Sequence, residues 1–334
     1  MKPNFAIISD CVKKTMGGIE NHASILTYLL KSHGYAVTPI DYQKLRPRQI
    51  KGFDVVVIEG IHRLELMKIM MAKKKNDMIL FTHGSFYLNS PERKELRMFD
   101  SSRHKTMKLM FDKIFMKVIL NKFDKIITLS EPESKDIATL FGLNPEKFSP
   151  LEVFSDEISE ESTSENNIPK YFFSEYLCYV GRLDSRKNLL SLLEASRSLD
   201  MPLLVAGQDQ GILSDLQDYC RRNGFNKFQY LGIVSMNEKM GLIKNSSLLV
   251  IPSFFEGTPA TAIEGLKLGK IVVMTCNSYM PEHPCIHTTQ PDSQSLIIAI
   301  KESLVSKGCS EGFISNEEII GKFLEIIDKV QYKK

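Results

Sequence analysis

Two glutamates, Glu256 and Glu264, lie eight positions apart on either side of a Gly-Thr-Pro sequence. Thr258 is a suitable helix N-cap, Pro259 suits the first helical position, and Gly269 can end the helix. The pattern therefore predicts that Glu256 lies in the loop before a helix. Glu264 would then lie between one and two turns inside it.

The segment has two interpretations. The N-terminus of a helix presents backbone N–H groups and a partial positive charge, which suit a phosphate. Carboxylates on either side of that phosphate could accept hydrogen bonds from vicinal sugar hydroxyls. An ordinary capped helix with an acidic first turn would have the same pattern, so the spacing alone leaves both interpretations open.

A basic cluster follows another predicted strand. In YLCYVGRLDSRKNLLSLLEA, Arg182 comes directly after the strand, and Arg186 and Lys187 precede the next predicted helix. A planar arginine fork and a lysine point charge at a strand end can hold a diphosphate. Surface charges on a solvated turn are the alternative.

Ten short apolar runs would position these side chains. Nearly unbroken runs rich in Val and Ile suit parallel strands that are covered on both faces. Because they alternate with helical stretches, they predict an α/β fold with two doubly wound sheets. The predicted strands are 4–9, 36–40, 53–60, 77–84, 125–130, 176–181, 202–207, 228–232, 248–253 and 270–275.

The polar, acidic segment 154–170 is the predicted linker between two Rossmann-like domains, 1–153 and 171–315. The amphipathic stretch 316–334 is a predicted helix that could pack back on the first domain. Ligands of doubly wound domains bind outside the carboxyl ends of the strands. We therefore expect those ends to face each other across a cleft.

The composition excludes several classes of protein. The net charge of +3 is too small for a dedicated nucleic-acid binder. No stretch is long and apolar enough for a membrane-spanning helix, and the N-terminal run is too short for a signal peptide. The six cysteines are scattered without a Cys-x-x-Cys pair, which predicts reduced thiols in a cytoplasmic protein.

Six segments resemble, in order, the retaining family 4 glycosyltransferases of the GT-B fold. They are GGIENHASILTYLLKSHGYAV, FDKIITLSEPESKDI, VGRLDSRKN, LLVAGQDQG, FQYLGIVS and LLVIPSFFEGTPATAIEGLKLGKIVVMT. The last contains the two glutamates that the family separates by seven residues. One such segment would be weak evidence, but six at matching distances indicate one family.

The resemblance implies a role for each matching residue. Arg182 and Lys187 would hold the diphosphate of a nucleotide-sugar donor. Glu264 would bind the ribose hydroxyls, and Glu256 would face the donor sugar. His83 matches a family histidine near the transferred sugar, although it could also be an ordinary strand-end histidine. Further contacts to the donor or acceptor would come from Gly17, Gly18, Gly232, Val234, Gly257, Thr258, Pro259 and Ala260.

The implied reaction moves a sugar, with retention, from a nucleotide diphosphate donor to a glycan or lipid-linked acceptor, as in surface polysaccharide synthesis. UDP-sugars are the family's commonest donors. Domain 1–153 would bind the acceptor and domain 171–315 the donor. The leaving diphosphate would take the proton of the acceptor, so the protein would act by positioning and by stabilising charge. With no Asp-x-Asp in a predicted site loop, we expect no metal and no cofactor.

The chain departs from the family at two places. FSPLEVFSD replaces the family's Pro-Asn-Gly turn after the first domain, and Gly265 follows Glu264 where the family usually has alanine. The first departure leaves the local contacts around the domain boundary undefined.

Two other segments each have a functional and a purely structural interpretation. Glu282, His283, Cys285 and His287 could bind a metal, but the intervening prolines and the lack of a second cysteine pair argue against it. The basic amphipathic segment 92–125 could contact an anionic membrane or bury its apolar face in its own domain. We expect a combination of the two: a packed helix whose basic outer face makes transient contact with a membrane that carries a lipid-linked acceptor.

Other functions remain open on the sequence alone. A nucleotide-sugar epimerase of the same fold would change the donor without an acceptor. A non-catalytic sugar-nucleotide-binding partner of another transferase would bind without turnover. A nicotinamide dehydrogenase is disfavoured, because no G-x-G-x-x-G follows any strand.

Overall fold

The protein is described here by a computed structural model of residues 2–9, 18–46, 48–60, 76–84, 109–155, 173–306 and 314–332. These residues form two compact units. Unit 1 contains those up to residue 155 and those from residue 314, and unit 2 contains 173–306. Gly17 and most of the predicted linker 154–170 lie outside the described residues.

Each unit contains a six-stranded parallel sheet. The order in unit 1 is β2-β1-β3-β4-β5-β6, and in unit 2 it is β12-β11-β10-β7-β8-β9. The strands of unit 1 are β1 (Phe5–Ser9), β2 (Val37–Asp41), β3 (Val55–Glu59), β4 (Asp77–Phe81), β5 (Lys125–Thr128) and β6 (Phe148–Pro150). Those of unit 2 are β7 (Leu177–Val180), β8 (Leu203–Ala206), β9 (Phe228–Tyr230), β10 (Leu248–Ile251), β11 (Val272–Thr275) and β12 (Ile286–Thr289).

The described α-helices connect these strands or flank the sheets. They are α1 (Gly18–Ser32), α2 (Leu109–Asn121), α3 (Glu131–Phe141), α4 (Leu189–Ser198), α5 (Leu213–Asn223), α6 (Met236–Asn245), α7 (Ala260–Lys267), α8 (Ser293–Leu304) and α9 (Asn316–Gln331). Within the described part of the chain, no helix combines the length and apolar character needed to cross a membrane.

Alternate residues of the central strands enter different cores. In β1, Ala6 and Ile8 pack into one apolar cluster of unit 1, whereas Phe5 and Ile7 pack into another. A parallel sheet with helices on both faces requires this pattern, because each strand is buried on both sides. The unbroken apolar runs of the sequence are explained by this two-sided burial.

The C-terminal helix α9 belongs to unit 1. A capping box between Ser315 and Glu318 begins the helix, and the ring of Phe323 stacks on that of Phe81 at 5.8 Å. The side-chain amide of Asn316 donates to the carbonyl of Ser155 at 2.8 Å. The core of unit 1 therefore contains residues from both ends of the described chain.

All ten predicted strands are present, mostly one to three residues shorter than the apolar runs that predicted them. The sequence analysis missed the edge strands β6 and β12. Their sequences, FSP and IHTT, are short and lack an unbroken apolar run. An edge strand needs less burial than a central one, so its hydrophobic signal is weak.

The prediction that all cysteines are reduced thiols is wrong for Cys285, which is disulfide-bonded. Cys178, Cys220 and Cys276 are free. Sequence spacing could not reveal the bond, because disulfide pairing depends on distance in the fold. A disulfide sulfur is not a thiolate, so Cys285 is also unsuitable as the metal ligand considered above.

The alanine usual after the second glutamate would be crowded here. A Cβ atom on Gly265 would lie 2.6 Å from Cδ2 of Leu249 and 3.3 Å from Cγ2 of Val272. The departure from the family at this position therefore matches the close packing of α7 on the sheet.

We expect Gly207→Ala to lower the free energy of unfolding by about 3 kcal/mol or more. Gly207 has a φ of 139°, and a Cβ atom there would lie 1.8 Å from the carbonyl oxygen of Gly181. Backbone clash and backbone strain add in this variant. Urea unfolding of the purified protein measures the change.

Gly321→Ala on α9 is the matched control. No atom lies within 4 Å of a Cβ built at Gly321, so the greater helix propensity of alanine should stabilise the protein by about 0.5–1 kcal/mol. Equal destabilisation by both substitutions would contradict the packing described for Gly207.

Candidate functional site

The carboxyl ends of β7 and β10 carry the charged residues singled out in the sequence. These strands are neighbours at the point where the strand order of unit 2 reverses, since β7 pairs with β8 on its other side. Such a reversal leaves a crevice outside the strand ends, where doubly wound domains bind ligands. Arg182 and Lys187 follow β7, and Glu256 follows β10.

Lys187 and Glu256 form a direct ion pair. Lys187 ends a 3₁₀ turn, and its Nζ donates to Oε1 of Glu256, which also accepts from Oγ of Ser253 at 2.5 Å. Burial raises the pKa of the Glu256 carboxyl, but the charges of Lys187 and Arg186 outweigh burial and bring the pKa below its usual value. Glu256 is therefore an anion that can only accept hydrogen bonds.

Backbone hydrogen bonds hold the loop that carries Glu256. The amide of Phe254 donates to the carbonyl of Arg186 at 2.9 Å, and that of Glu256 donates to the carbonyl of Asn277 at 2.9 Å. The side chain of Asn277 donates back to the carbonyl of Phe254 at 3.0 Å. The loops after β7, β10 and β11 thus support one another, which positions the carboxylate.

The start of α7 differs by one residue from the prediction. Pro259 is the N-cap and Ala260 is the first helical residue, and Pro259 has no side chain that could cap the helix. The prediction that Thr258 is the N-cap and Pro259 the first helical residue is therefore wrong. Oγ1 of Thr258 is buried and has no hydrogen-bond partner among the described residues.

Glu264 is paired with a lysine that sequence reasoning missed. Nζ of Lys239, in the first turn of α6, donates to Oε1 of Glu264 at 2.6 Å. The side chain of Glu264 is only 2% exposed, and that of Lys239 is 20% exposed. The two residues are 25 positions apart, so only the packing of α6 beside α7 brings them together.

The other predicted contact residues of unit 2 also lie in loops at the carboxyl ends of the strands. Gly232 and Val234 follow β9, and the carbonyl of Gly232 accepts from the amide of Gly207 at 2.7 Å. Gly257 precedes α7, and its carbonyl accepts from the amide of Tyr279 at 3.0 Å. Arg182 is exposed. Gly18 begins α1 in unit 1, and Gly17 lies outside the described residues.

Unit 1 has a buried polar cluster at the carboxyl ends of its strands. Oε2 of Glu59, the last residue of β3, lies 2.5 Å from Nε2 of His83 and 3.1 Å from Nδ1 of His22. Burial raises the pKa of Glu59, but the two imidazoles outweigh burial and bring it to about 2. Burial lowers the pKa of His22 despite the opposing effect of Glu59. Sequence reasoning found His83 but neither partner.

A second buried carboxylate holds the turn that carries His83. Oε1 of Glu133 accepts from the hydroxyl of Thr82 at 2.7 Å and from the amide of Gly84 at 2.9 Å. Oε2 accepts from the amide of Leu129 at 2.7 Å. His83 itself has a φ of 50°, in the left-handed region that non-glycine residues rarely adopt. Glu133 thus holds a strained turn in place.

The cluster in unit 1 is also the one group of possible metal ligands among the described residues. The ligand atoms of His22, Glu59 and His83 all lie within 4.8 Å of one another. Ligands of a tetrahedral zinc ion would be about 3.3 Å apart. The 2.5 Å between Glu59 and His83 is instead a hydrogen-bond distance.

Comparison with solved structures defines the class of fold. The Anabaena protein Alr3699/HepE, solved with UDP and glucose, superposes with a TM-score of 0.68 at 15% identity, covering 91% of this chain and 90% of that chain. The UDP-GlcNAc 2-epimerase of Methanocaldococcus jannaschii superposes with a TM-score of 0.60 at 13% identity, covering 98% and 99%. The two Rossmann-like units are those of the α/β GT-B fold, as predicted.

Sequence comparison finds relatives for part of the chain that is mostly in unit 2. Residues 162–290 match the family model described as "Glycosyl transferases group 1". The O-antigen chain mannosyltransferase B of Escherichia coli is 30% identical over 116 residues, which are 32% of this chain and 30% of that protein. The family match includes Arg182, Lys187, Glu256 and Glu264. The curated relative is thus matched over less than a third of its length.

We expect Lys239→Met to lower the free energy of unfolding by about 2–4 kcal/mol, because it leaves the buried Glu264 carboxylate without its lysine. Urea unfolding at neutral pH measures the change. The matched control is Lys227→Met, which breaks the exposed pair with Asp200 and should cost less than about 1 kcal/mol. Equal costs would contradict the pairing of Lys239 with Glu264.

The cluster in unit 1 should make the protein sensitive to acid. His22 has a folded pKa below its unfolded value near 6.5, so stability is lost as pH falls below 6.5. Glu59 has a folded pKa of about 2 against 4.5, so further stability is lost between those values. Urea midpoints at pH 7.5 and pH 5.5 measure the first effect.

His22→Gln should flatten this pH dependence, because glutamine does not titrate. His33→Gln, at a partly exposed histidine of the same unit, is the control and should retain the slope of the wild type. A His22→Gln variant with an unchanged slope would show that His22 does not carry the effect.

Proposed function

We propose that the protein is a retaining glycosyltransferase that moves a sugar from a nucleotide diphosphate donor to a glycan or lipid-linked acceptor. A UDP-sugar is the favoured donor and surface polysaccharide synthesis the favoured process. The observation that carries the proposal is the partly buried Lys187–Glu256 pair at the strand reversal of unit 2. The family match over 162–290, which contains both residues, supports it.

The pair provides the two kinds of group that a nucleotide sugar needs. The Lys187 ammonium has three N–H groups and donates one hydrogen bond to Glu256, which leaves N–H groups that can donate to a diphosphate. Arg182 lies exposed at the same strand end and can add a bidentate contact. Glu256 is anionic and hydrogen-bonded by Ser253, so it can accept hydrogen bonds from hydroxyls of the donor sugar.

The residues around α7 suit the rest of the donor. The N-terminus of the helix and Oγ1 of Thr258 provide hydrogen-bonding groups for a phosphate. Glu264, held by Lys239, can accept from ribose hydroxyls. Gly232 and Val234 follow the edge strand β9 and would contact the base. These assignments follow the resemblance residue by residue.

In the proposed reaction the leaving diphosphate takes the proton of the acceptor. Lys187 and Arg182 stabilise the negative charge that develops on this group, which is how a fixed charged site lowers the barrier. Neither a metal nor another cofactor is part of the proposal.

The proposal also includes where the protein acts in the cell. The described part of the basic segment 92–125 includes α2, which buries Met116, Ile119 and Leu120. Its outer face leaves Ile114 and Val118 exposed at 72% and 47%, beside exposed lysines. Such a face suits peripheral contact of a cytoplasmic enzyme with an anionic membrane that carries a lipid-linked acceptor.

We expect one nucleoside diphosphate or its sugar conjugate to raise the melting temperature of the protein, with or without EDTA. A ligand at a hundred times its Kd adds about 2.7 kcal/mol to the free energy of unfolding. Lys187→Met should abolish the shift, because it removes the charge that binds the diphosphate. Lys301→Met, at an exposed lysine of α8, should retain it. No shift with any nucleotide would overturn the proposed site.

With the donor identified, Glu256→Gln should lower transfer by about a hundredfold or more while the nucleotide-induced shift remains. Glu302→Gln on the exposed face of α8 is the control. Wild-type turnover by Glu256→Gln would remove that residue from the reaction. A changed donor without acceptor would indicate an epimerase instead, and binding without turnover a non-catalytic partner.

A further inference from the structure

Glu59 is an acidic residue in a fully buried position. It ends the strand β3, whose other four residues are apolar and fully buried, and its own side chain is 0% exposed. An ionised carboxylate in such a place is costly unless hydrogen-bond donors surround it. Among the described residues, the imidazoles of His22 and His83 are the hydrogen-bond partners of this carboxylate.

The geometry determines where the protons of both rings lie. Nδ1 of His22 and Nε2 of His83 approach the same oxygen, Oε2 of Glu59. An ionised carboxylate only accepts hydrogen bonds, so each of these nitrogens must carry a proton. The low pKa of Glu59, about 2, agrees with an ionised group. A neutral imidazole has only one N–H, so in a neutral ring held in this way the other nitrogen, Nε2 of His22 or Nδ1 of His83, is the hydrogen-bond acceptor.

The two rings are held differently by their surroundings. The His22 ring packs against Phe81 at 4.9 Å and Phe154 at 5.0 Å, and the residue is 1% exposed. The His83 ring is held at Nε2 by Glu59, and its backbone turn is held by Glu133 through Gly84. His22 is thus enclosed as a supporting ring, while His83 lies at a turn after a strand end.

We infer that Glu59 is a positioning residue that fixes the Nε2–H tautomer of His83 and leaves its Nδ1 as a hydrogen-bond acceptor for a hydroxyl. His22 supports the same carboxylate through its Nδ1–H. A histidine whose tautomer is fixed by a buried carboxylate presents one defined nitrogen to a ligand. That the hydroxyl belongs to the sugar or the acceptor rests on the proposed function.

Long-range ¹H–¹⁵N correlation NMR of the 334-residue chain, labelled at its seven histidines, tests the inference. It distinguishes protonated from bare ring nitrogens, and His22→Gln and His83→Gln assign the signals. We expect His22 as the Nδ1–H form and His83 as the Nε2–H form. Finding the opposite tautomer at His83 would overturn the inference.

Two substitutions of Glu59 separate positioning from charge. Glu59→Met removes the acceptor at similar volume, so His83 should lose its single tautomer. Glu59→Gln keeps one acceptor oxygen and should retain the Nε2–H form without the negative charge. A fixed tautomer in Glu59→Met would overturn the inference. Glu317→Met, which removes the carboxylate from the exposed pair with His33, is the matched control and should leave the His22 and His83 signals unchanged.

A metal ion bound by the cluster would give different NMR signals. If zinc occupied the cluster, the nitrogens that face Glu59 would be unprotonated, and EDTA would change their signals. That outcome would overturn the inference in favour of a metal centre. This test needs no substitution at Glu59, so it is decided even if the Glu59 variants do not fold.

Transfer assays separate this inference from the proposed function. Glu59→Met should lower kcat/KM about a hundredfold, Glu59→Gln should stay within about tenfold of wild type, and both should keep the nucleotide-induced thermal shift. Unchanged transfer in Glu59→Met would remove the residue from the reaction. If the wild type transfers no sugar at all, the proposed function fails, and the NMR result still decides the role of Glu59.

Discussion

Burial of the parallel strands on both faces is the constraint on which the rest of this structure depends. A strand covered on both sides has no place for a polar side chain along most of its length. Buried polar residues therefore appear where strands end. At the carboxyl ends they are Ser9, Glu59, Thr82, Thr128, Ser253 and Thr275. In both units the polar side chains of the strands are concentrated at the carboxyl ends, because the interior of a sheet covered on both faces excludes them.

The buried carboxylates at the strand ends have different partners in the two units. In unit 2 a lysine from outside the strands meets the carboxylate, and Lys187 and Glu256 are both ionic. In unit 1 the partners of Glu59 are imidazoles, one of which burial keeps neutral. A lysine–carboxylate pair suits a site for another ion, whereas a carboxylate between imidazoles suits the placement of protons. Similar sheets thus support different local chemistry.

The sequence predicted what depends on short-range pattern and missed what depends on distant packing. The ten predicted strands, which include the edge strands β2 and β9, follow from apolar runs. The edge strands β6 and β12 escaped because FSP and IHTT contain no unbroken apolar run. Glu256, Lys187 and His83 were found because each follows a predicted strand. Lys239, His22 and Glu59 were not, since each matters through a partner in another element. Thr258 was misplaced by one residue because helix ends are set locally by backbone geometry.

The return of α9 to unit 1 affects the order in which the protein can form. Phe323, Ile320 and Ile327 lie in the same apolar cluster as Phe5 and Ile7, yet all of unit 2 is encoded between them. During synthesis, unit 2 can complete its core while that of unit 1 still lacks one of its helices. The core of unit 1 can therefore be completed only after the chain of unit 2 has been synthesised.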